Sequence, residues 1–118
     1  MTCGRAKARR DMRRTRKRSL IGKWRITEME LWDKDYLDTI EPAYIQFKAN
    51  GFGEFKFGCV ACGIDCDFSD DDAEFTFQGH DEMDEVSGSG WAELDDGTLS
   101  GEISFHLGDE SSFKARKW

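Results

Sequence analysis

Cysteine spacing is the first feature of this chain that could support chemistry. Cys59, Cys62 and Gly63 form a Cys-x-x-Cys-Gly segment, which resembles half of a zinc ribbon, where two thiolates on a tight turn bind the metal. Cys66 is a candidate third ligand. The candidates for a fourth ligand are Cys3, His80 and His106. There is no second Cys-x-x-Cys, so the sequence favours no cofactor, with Cys59 and Cys66 as small buried residues and Cys62 exposed in a turn. Zinc is the alternative.

The acidic run from His80 to Glu85 is the second candidate site. It contains four carboxylates beside an imidazole, groups that can hold a hard cation or act as acid and base. The spacing does not match an EF-hand loop, which needs alternating ligands, Gly at the sixth position and Glu at the twelfth. We therefore interpret the segment between Gly79 and Val86 as a solvated loop. His106 alternates outward in its predicted strand, and we interpret it as a surface residue.

Neither a Ser-His-Asp arrangement nor a phosphate-binding glycine loop is present, so no catalytic residue is predicted. The sequence favours a protein that is not an enzyme. Gly88, Gly90 and Gly101 are expected within strands, where glycine marks a bend or a bulge.

Charge is distributed unevenly along the chain. The first 18 residues hold nine Lys or Arg and one acid, a net charge of +8, whereas the remainder carries −15. A block of like charge without apolar periodicity predicts a disordered basic tail over residues 1–18, followed by a single domain over residues 19–118. The tail is a candidate for contacts with nucleic-acid phosphates. The residues that would make them are Arg9, Arg10, Arg13, Arg14, Arg16, Lys17 and Arg18.

The alternatives for this tail are a solubilising segment, or an extension upstream of a start at Met12. The acidic remainder would repel nucleic acid and attract basic partners. There is no apolar stretch of about 18 residues and no apolar segment of a secretory signal. We therefore expect a cytoplasmic protein that does not bind membranes, with reduced cysteines.

Eight short runs of alternating apolar and polar residues follow one another between Ser19 and Trp118, each closed by a turn signal. Asn50-Gly51 and Asp96-Gly97 are the hairpin signals among them. Most connections are too short for a crossover, so neighbouring runs should pair antiparallel. An open sheet would leave two exposed edges. The sequence therefore predicts an all-β fold: an eight-stranded antiparallel up-and-down barrel.

The first connection is predicted to differ from the others. A bulge near Thr27 and Glu28 would switch the faces of the first strand. Asp33 is a candidate N-cap for a short helical lid between strands 1 and 2, which should end near Glu41 because Pro42 follows. The residues expected to share one face of this lid are Tyr36, Leu37 and Ile40.

Gly22-Lys23-Trp24 matches the Gly-x-Trp motif at the start of a lipocalin first strand, and Arg116 is a basic residue on the predicted last strand. With the helical lid, these residues give the chain a resemblance to the lipocalin-like β-barrels of the calycin group. The resemblance implies that Trp24 closes the barrel floor with Arg116 packed over it. It also implies a cavity that opens at the other end and holds a small apolar molecule.

The predicted interior is crowded. The large side chains expected to face inward are Phe47, Phe55, Phe57, Phe68, Phe75, Phe77, Phe105, Phe113, Trp24, Ile26, Ile45, Ile64, Leu94, Leu99, Ile103 and Leu107. Since interiors fill to a density of roughly 0.75, little space remains for a ligand. A ligand site would then be shallow and lie at the barrel mouth under the lid. Its candidate residues are Glu28, Glu30, Trp32, Tyr36 and Leu37.

These observations favour a binding protein over an enzyme. It would bind a small apolar molecule at the mouth, or a basic protein on its acidic surface. The alternative is a nucleic-acid-associated protein that acts through its tail.

Overall fold

The alternating runs form a closed barrel. The structure, a computed structural model, describes residues 20–69 and 71–118, so the predicted tail lies outside the described residues. The strands are β1 Gly22–Met29, β2 Tyr44–Phe47, β3 Phe52–Phe57, β4 Val60–Ser69, β5 Asp72–Asp81, β6 Asp84–Asp95, β7 Thr98–Phe105 and β8 Glu110–Lys117. Each strand pairs antiparallel with the next, and β8 pairs with β1. The predicted all-β up-and-down barrel is confirmed.

Turn chemistry and side-chain alternation account for most of this architecture. The residues Asp96 and Gly97 have φ values of 54° and 81°, the pair of left-handed residues that a tight hairpin turn requires. In β4, buried Val60, Cys62 and Ile64 alternate with exposed residues. This alternation places one apolar side of every strand in a common core.

The first connection is a single helical turn. The register between β1 and β8 shifts between Ile26 and Glu28, so the predicted bulge is confirmed, and it returns Met29 to the interior. Helix α1 spans Lys34–Leu37, and the Asp33 carboxylate accepts a hydrogen bond from the Tyr36 N–H at 3.0 Å. The predicted helix end near Glu41 is wrong: the helix ends at Leu37, so Ile40 does not share a helical face with Tyr36 and Leu37, and its side chain is 69% exposed.

Two predicted turns are wrong, and in both cases the glycine that suggested the turn lies inside a strand. Gly63 lies inside β4, and the β3–β4 turn is at Gly58 and Cys59, which is half-buried rather than buried in a strand. The predicted loop from Gly79 to Val86 is a tight hairpin, in which β5 runs to Asp81 and β6 begins at Asp84. A Cβ on Gly79 would lie 2.1 Å from the Ala61 carbonyl oxygen. Glycine is needed there for close strand approach, not for a turn.

Leu107 is a further correction. Strand β7 ends at Phe105, so Leu107 falls in the following turn with φ 57° and is 95% exposed. The longest strand is β6, with 12 residues.

The barrel interior is filled by phenylalanine rings. Phe75 and Phe77 on β5 stand opposite Gly90 and Gly88 on β6. The tips of the two rings lie 2.8 and 2.7 Å from where a Cβ on those glycines would be. The rings therefore occupy the space left by the missing side chains. The expected crowding is present: of the eight inward Phe, only Phe68 and Phe105 are partly exposed.

Candidate functional site

The lid end of the barrel is closed by an aromatic cluster. The Trp32 ring lies 5.0 Å from the Phe57 ring and 6.3 Å from both the Tyr36 and Phe105 rings, measured between centroids. The Phe105 ring in turn contacts Phe77 at 5.3 Å. Trp32 is therefore half-buried and packs over the Phe57 and Phe105 rings at this end of the core.

Helix α1 is hydrogen-bonded to the β3–β4 turn. The Gly58 N–H donates to the Leu37 carbonyl at 2.8 Å, and the Cys59 N–H donates to the Tyr36 hydroxyl at 3.4 Å. Leu37 is fully buried. Burial raises the pKa of Tyr36 above its ordinary value, so its hydroxyl stays protonated at neutral pH. Trp32, Tyr36 and Leu37 thus lie together, as the predicted ligand site requires.

The two acidic members of that predicted site lie apart from this cluster. Glu28 is exposed on the bulge and pairs in register with Lys114 of β8. Glu30 is also exposed, and its carboxylate accepts a hydrogen bond from the Ser112 N–H at 3.4 Å. Both carboxylates lie along β8.

The opposite, closed end contains Trp24, which is buried. Its indole N–H donates to the Leu20 carbonyl at 3.0 Å. The basic residue over its ring is Lys117, with Nζ 4.8 Å from the centroid, and not the predicted Arg116. Alternation is the reason: Ala115 faces the core, so Arg116 faces solvent and Lys117 returns to the inner side.

The cysteines do not form the turn that a zinc site would need. Cys62 lies within β4 and is buried, and Cys66 shares its inward side. Burial raises the pKa of Cys62 to about 11 and of Cys66 to about 12. Desolvation, followed by the Glu82 carboxylate, raises the pKa of Cys59. Metal binding requires thiolates. Within residues 20–69 and 71–118, no group of three His, Cys, Asp or Glu side chains is placed to hold a metal ion.

The acidic run His80 to Glu85 is the tip of the β5–β6 hairpin. Asp81 and Asp84 stand opposite each other, and Glu82 in the turn has φ 59°. Strand alternation therefore spreads these carboxylates around the tip. His106 lies on the exposed surface beyond β7, as interpreted from the sequence.

The barrel has two electrically different sides, which our sequence analysis missed. Between Lys56 and Lys114 the chain has 16 acidic residues and no Lys or Arg. The closed strand order gathers β4, β5, β6 and β7 on one side. All eight Lys and Arg of residues 20–118 belong instead to β1, β3, β8, α1 or the β2–β3 turn. The sequence signal for this acidic side was the long stretch between Lys56 and Lys114 without a basic residue.

One row of side chains crosses the acidic side, and we call it the acidic row. Strand register pairs Asp67 with Glu74, Glu74 with Trp91, and Trp91 with Glu102. Adjacent strands lie about 4.8 Å apart, so three carboxylates and one indole stand side by side. Trp91 is 42% exposed. Carboxylates directly opposite each other repel, so the Asp67–Glu74 pair costs free energy until a cation approaches.

The ion pairs of the described residues lie elsewhere. Arg25 and Lys34 pair with Asp38, and Lys56 pairs with Glu41. These contacts hold α1 and the segment after it against β1 and β3. No ion pair among residues 20–69 and 71–118 neutralises the acidic row.

A groove runs beside the acidic row because the next row is built from small side chains. Thr76, Ser89 and Ser104 stand in register there, beside Asp65. These residues line two adjoining open depressions of about 860 and 510 Å³, and Trp91 forms part of the wall of the smaller one. The outer surface therefore offers a polar, acidic channel with one exposed indole.

Searches against protein-family models, curated proteins and solved structures give no match for this chain. The class that the geometry defines is therefore the closed eight-stranded antiparallel barrel itself. In the described part of the chain, no helix has the length and apolar character needed to cross a membrane.

Proposed function

We propose that this protein binds a basic polypeptide on the outer face of β4–β7. The observation that carries the proposal is the acidic row, in which Trp91 stands between Glu74 and Glu102. An arginine guanidinium stacked on the indole would gain a cation–π contact and meet a carboxylate on either side. The same cation would relieve the repulsion between Asp67 and Glu74.

The size and shape of the surface support this proposal. The adjoining groove continues from Trp91 past Ser89 and Ser104 toward His106, so an extended peptide has room beyond its anchoring arginine. Serine and threonine hydroxyls along it can donate to peptide carbonyls. The filled interior also favours an external site over an internal one.

Substitutions in the acidic row test the proposal. In a full-length chain in which Arg9, Arg10, Arg13 and Arg14 are replaced by Gln, so that contacts of the basic segment cannot mask the change, adding Glu74→Gln and Glu102→Gln is expected to weaken binding of a fluorescein-labelled nona-arginine peptide roughly tenfold at about 0.1 M salt. Exposed charge contacts are worth up to about 1 kcal/mol each. Fluorescence anisotropy measures the affinity. These changes remove charges that repel one another, so they should not destabilise the barrel.

The matched control is the double variant Glu28→Gln, Asp35→Asn, which removes the same net charge from exposed residues at the lid end. Its affinity should change less than about twofold, since screening limits distant charges at moderate salt. Equal weakening in both variants would indicate attraction by net charge alone and would overturn the proposed site.

A second candidate function is the binding of a small apolar molecule at the lid end. It is supported by Trp32, whose half-buried ring covers Phe57 and Phe105. Likeness to the lipocalin-like barrels belongs to this proposal, and Trp24 and Lys117 at the closed end support it. In this reading a ligand displaces the Trp32 ring and packs on the phenylalanines below.

Removing the cover tests this second candidate. Trp32→Ala is expected to bind an apolar fluorescent dye about tenfold more tightly than the wild type, since roughly 60 Å² of newly accessible apolar surface is worth about 1.5 kcal/mol. Trp118→Ala, which removes an exposed indole on the basic side, is the control and should leave dye binding unchanged. Absence of saturable binding in both the wild type and Trp32→Ala would contradict the candidate.

The nucleic-acid alternative depends on Arg9 to Arg18, outside the described residues, and it stays a prediction. The acidic side of the barrel disfavours it, because that side would repel the same phosphates.

A further inference from the structure

We propose that the chain's own N-terminal segment, residues 1–18, docks on the acidic row and competes there with other basic polypeptides. This inference rests on the proposed function and names a regulator of the same site. The segment holds nine Lys or Arg, seven of them Arg, and a single acid. Arginine is the side chain that both stacks on an indole and pairs with carboxylates.

The segment joins the barrel at a suitable end. Leu20 is fully buried and accepts the Trp24 indole N–H, so the chain enters the barrel at its closed end. In register, the Asp67–Glu74 pair is two positions from the Ser69–Asp72 pair that ends the β4–β5 hairpin. That hairpin turn lies at the same end as the start of β1, because strands alternate in direction.

The segment is also long enough. Fully extended, 18 residues span up to about 60 Å, which exceeds the roughly 40 Å around half of a body 26 × 25 Å in cross-section. The side formed by β8, β1, β2 and β3, with α1, carries eight Lys or Arg and eight acidic residues over residues 20–57 and 110–118, so it has no net charge that would attract the segment. Charge complementarity therefore directs it to the face of β4–β7.

Tethering strengthens this contact. A tethered segment has an effective concentration on the order of millimolar at its site, so even a weak contact keeps a competing peptide out. An intramolecular contact with a dissociation constant near 100 µM would weaken the apparent affinity for an external peptide roughly tenfold. Salt should release the segment, because the contacts are exposed and ionic.

Zero-length carbodiimide cross-linking of the full chain maps the contact, since it joins an amine to a carboxylate only when they touch. We expect Lys7 or Lys17 to be joined to Asp67, Glu74 or Glu102 in the monomer band at low salt, and the products to disappear at about 0.5 M salt. Equal yields at Glu28 or Asp35, or no cross-link, would overturn the proposal. Products confined to a dimer band would also overturn it, in favour of a second copy as the occupant.

An affinity measurement separates this inference from the proposed function. The full-length variant Arg9→Gln, Arg10→Gln, Arg13→Gln, Arg14→Gln is expected to bind labelled nona-arginine about tenfold more tightly than the wild type. The gain should disappear when Glu74→Gln and Glu102→Gln are added, and persist when Glu28→Gln and Asp35→Asn are added instead. This comparison corrects for the change in net charge.

The outcomes are distinct. If the variant with the neutralised tail binds the peptide no more tightly than the wild type, the tail does not compete and the inference fails while the proposed function stands. If neither chain binds, the proposed function fails and the inference falls with it. A gain of equal size with both added pairs would reflect net charge and would overturn the inference.

Discussion

Replacing Phe55 by alanine is expected to cost about 3–5 kcal/mol of the free energy of unfolding, the cost of emptying a phenylalanine site in a core that cannot collapse. The side chain is fully buried. Its ring lies 5.9 Å from the Phe57 ring and 5.0 Å from the Phe77 ring. A closed ring of strands cannot move inward to fill the gap. Since small domains are stable by only about 5–15 kcal/mol, much of the stability should be lost.

Urea denaturation followed by tryptophan fluorescence measures this effect. Phe52→Ala provides the matched control, because Phe52 lies on β3 as well but is 54% exposed. That variant should stay within about 0.5 kcal/mol of the wild type. Similar losses in the two variants would show that the interior is not the tightly filled core described above.

The second large effect is expected at Gly101, where a single methyl group should cost about 3 kcal/mol. A Cβ at this position would lie 2.0 Å from the Trp91 carbonyl oxygen and 2.9 Å from the Ala92 Cα. Both neighbours are backbone atoms of a paired strand, so they cannot turn aside as a flexible side chain would. Gly101→Ala must separate β6 from β7 or distort their hydrogen bonds.

Gly63→Ala is the control for this prediction. Gly63 is also within a strand, but the nearest atom to its Cβ position, the Gly53 carbonyl oxygen, is 4.0 Å away. The substitution should be neutral within about 0.5 kcal/mol. Thermal unfolding measures both variants, and a tolerated alanine at position 101 would contradict the strand spacing of the barrel.

Local chemistry accounts for the parts of the fold that the sequence predicted correctly. Hairpins formed at Asn50-Gly51 and Asp96-Gly97 because Gly51, Asp96 and Gly97 adopt the left-handed conformations that these turns require. Asp33 capped α1 because its carboxylate can reach the free N–H groups of the first turn. Each feature depends on residues within a few positions of one another, so it can be read along the chain.

The predictions were wrong where the structural role of a residue depends on a neighbouring strand. Gly63 and Gly79 suggested turns, but Gly79 is small because Ala61 of the neighbouring strand approaches it. Leu107 continued the apolar pattern of β7 although the chain had already turned. The register between strands decides such cases, and composition does not reveal the register.

The same distinction, between features set by nearby residues and features set by strand register, applies to the ends and sides of the barrel. Lys117 could have been identified from alternation alone, since Phe113 and Ala115 define the inward positions of β8. The acidic row could not, because it joins residues of four strands whose alignment depends on the registers of three hairpins. In the sequence, only the lack of Lys and Arg between residues 56 and 114 indicated that the barrel has an acidic side.

The four tryptophans provide the most direct test of a filled barrel that binds on its outer face. Trp24 lies at the closed end, Trp32 at the lid end, Trp91 in the acidic row and Trp118 on the basic side. In a ¹⁵N-labelled sample each indole N–H gives its own NMR signal. Titration with nona-arginine should shift the Trp91 signal and leave the Trp24 and Trp32 signals in place. A shift of the Trp32 signal with Trp91 unmoved would contradict the account.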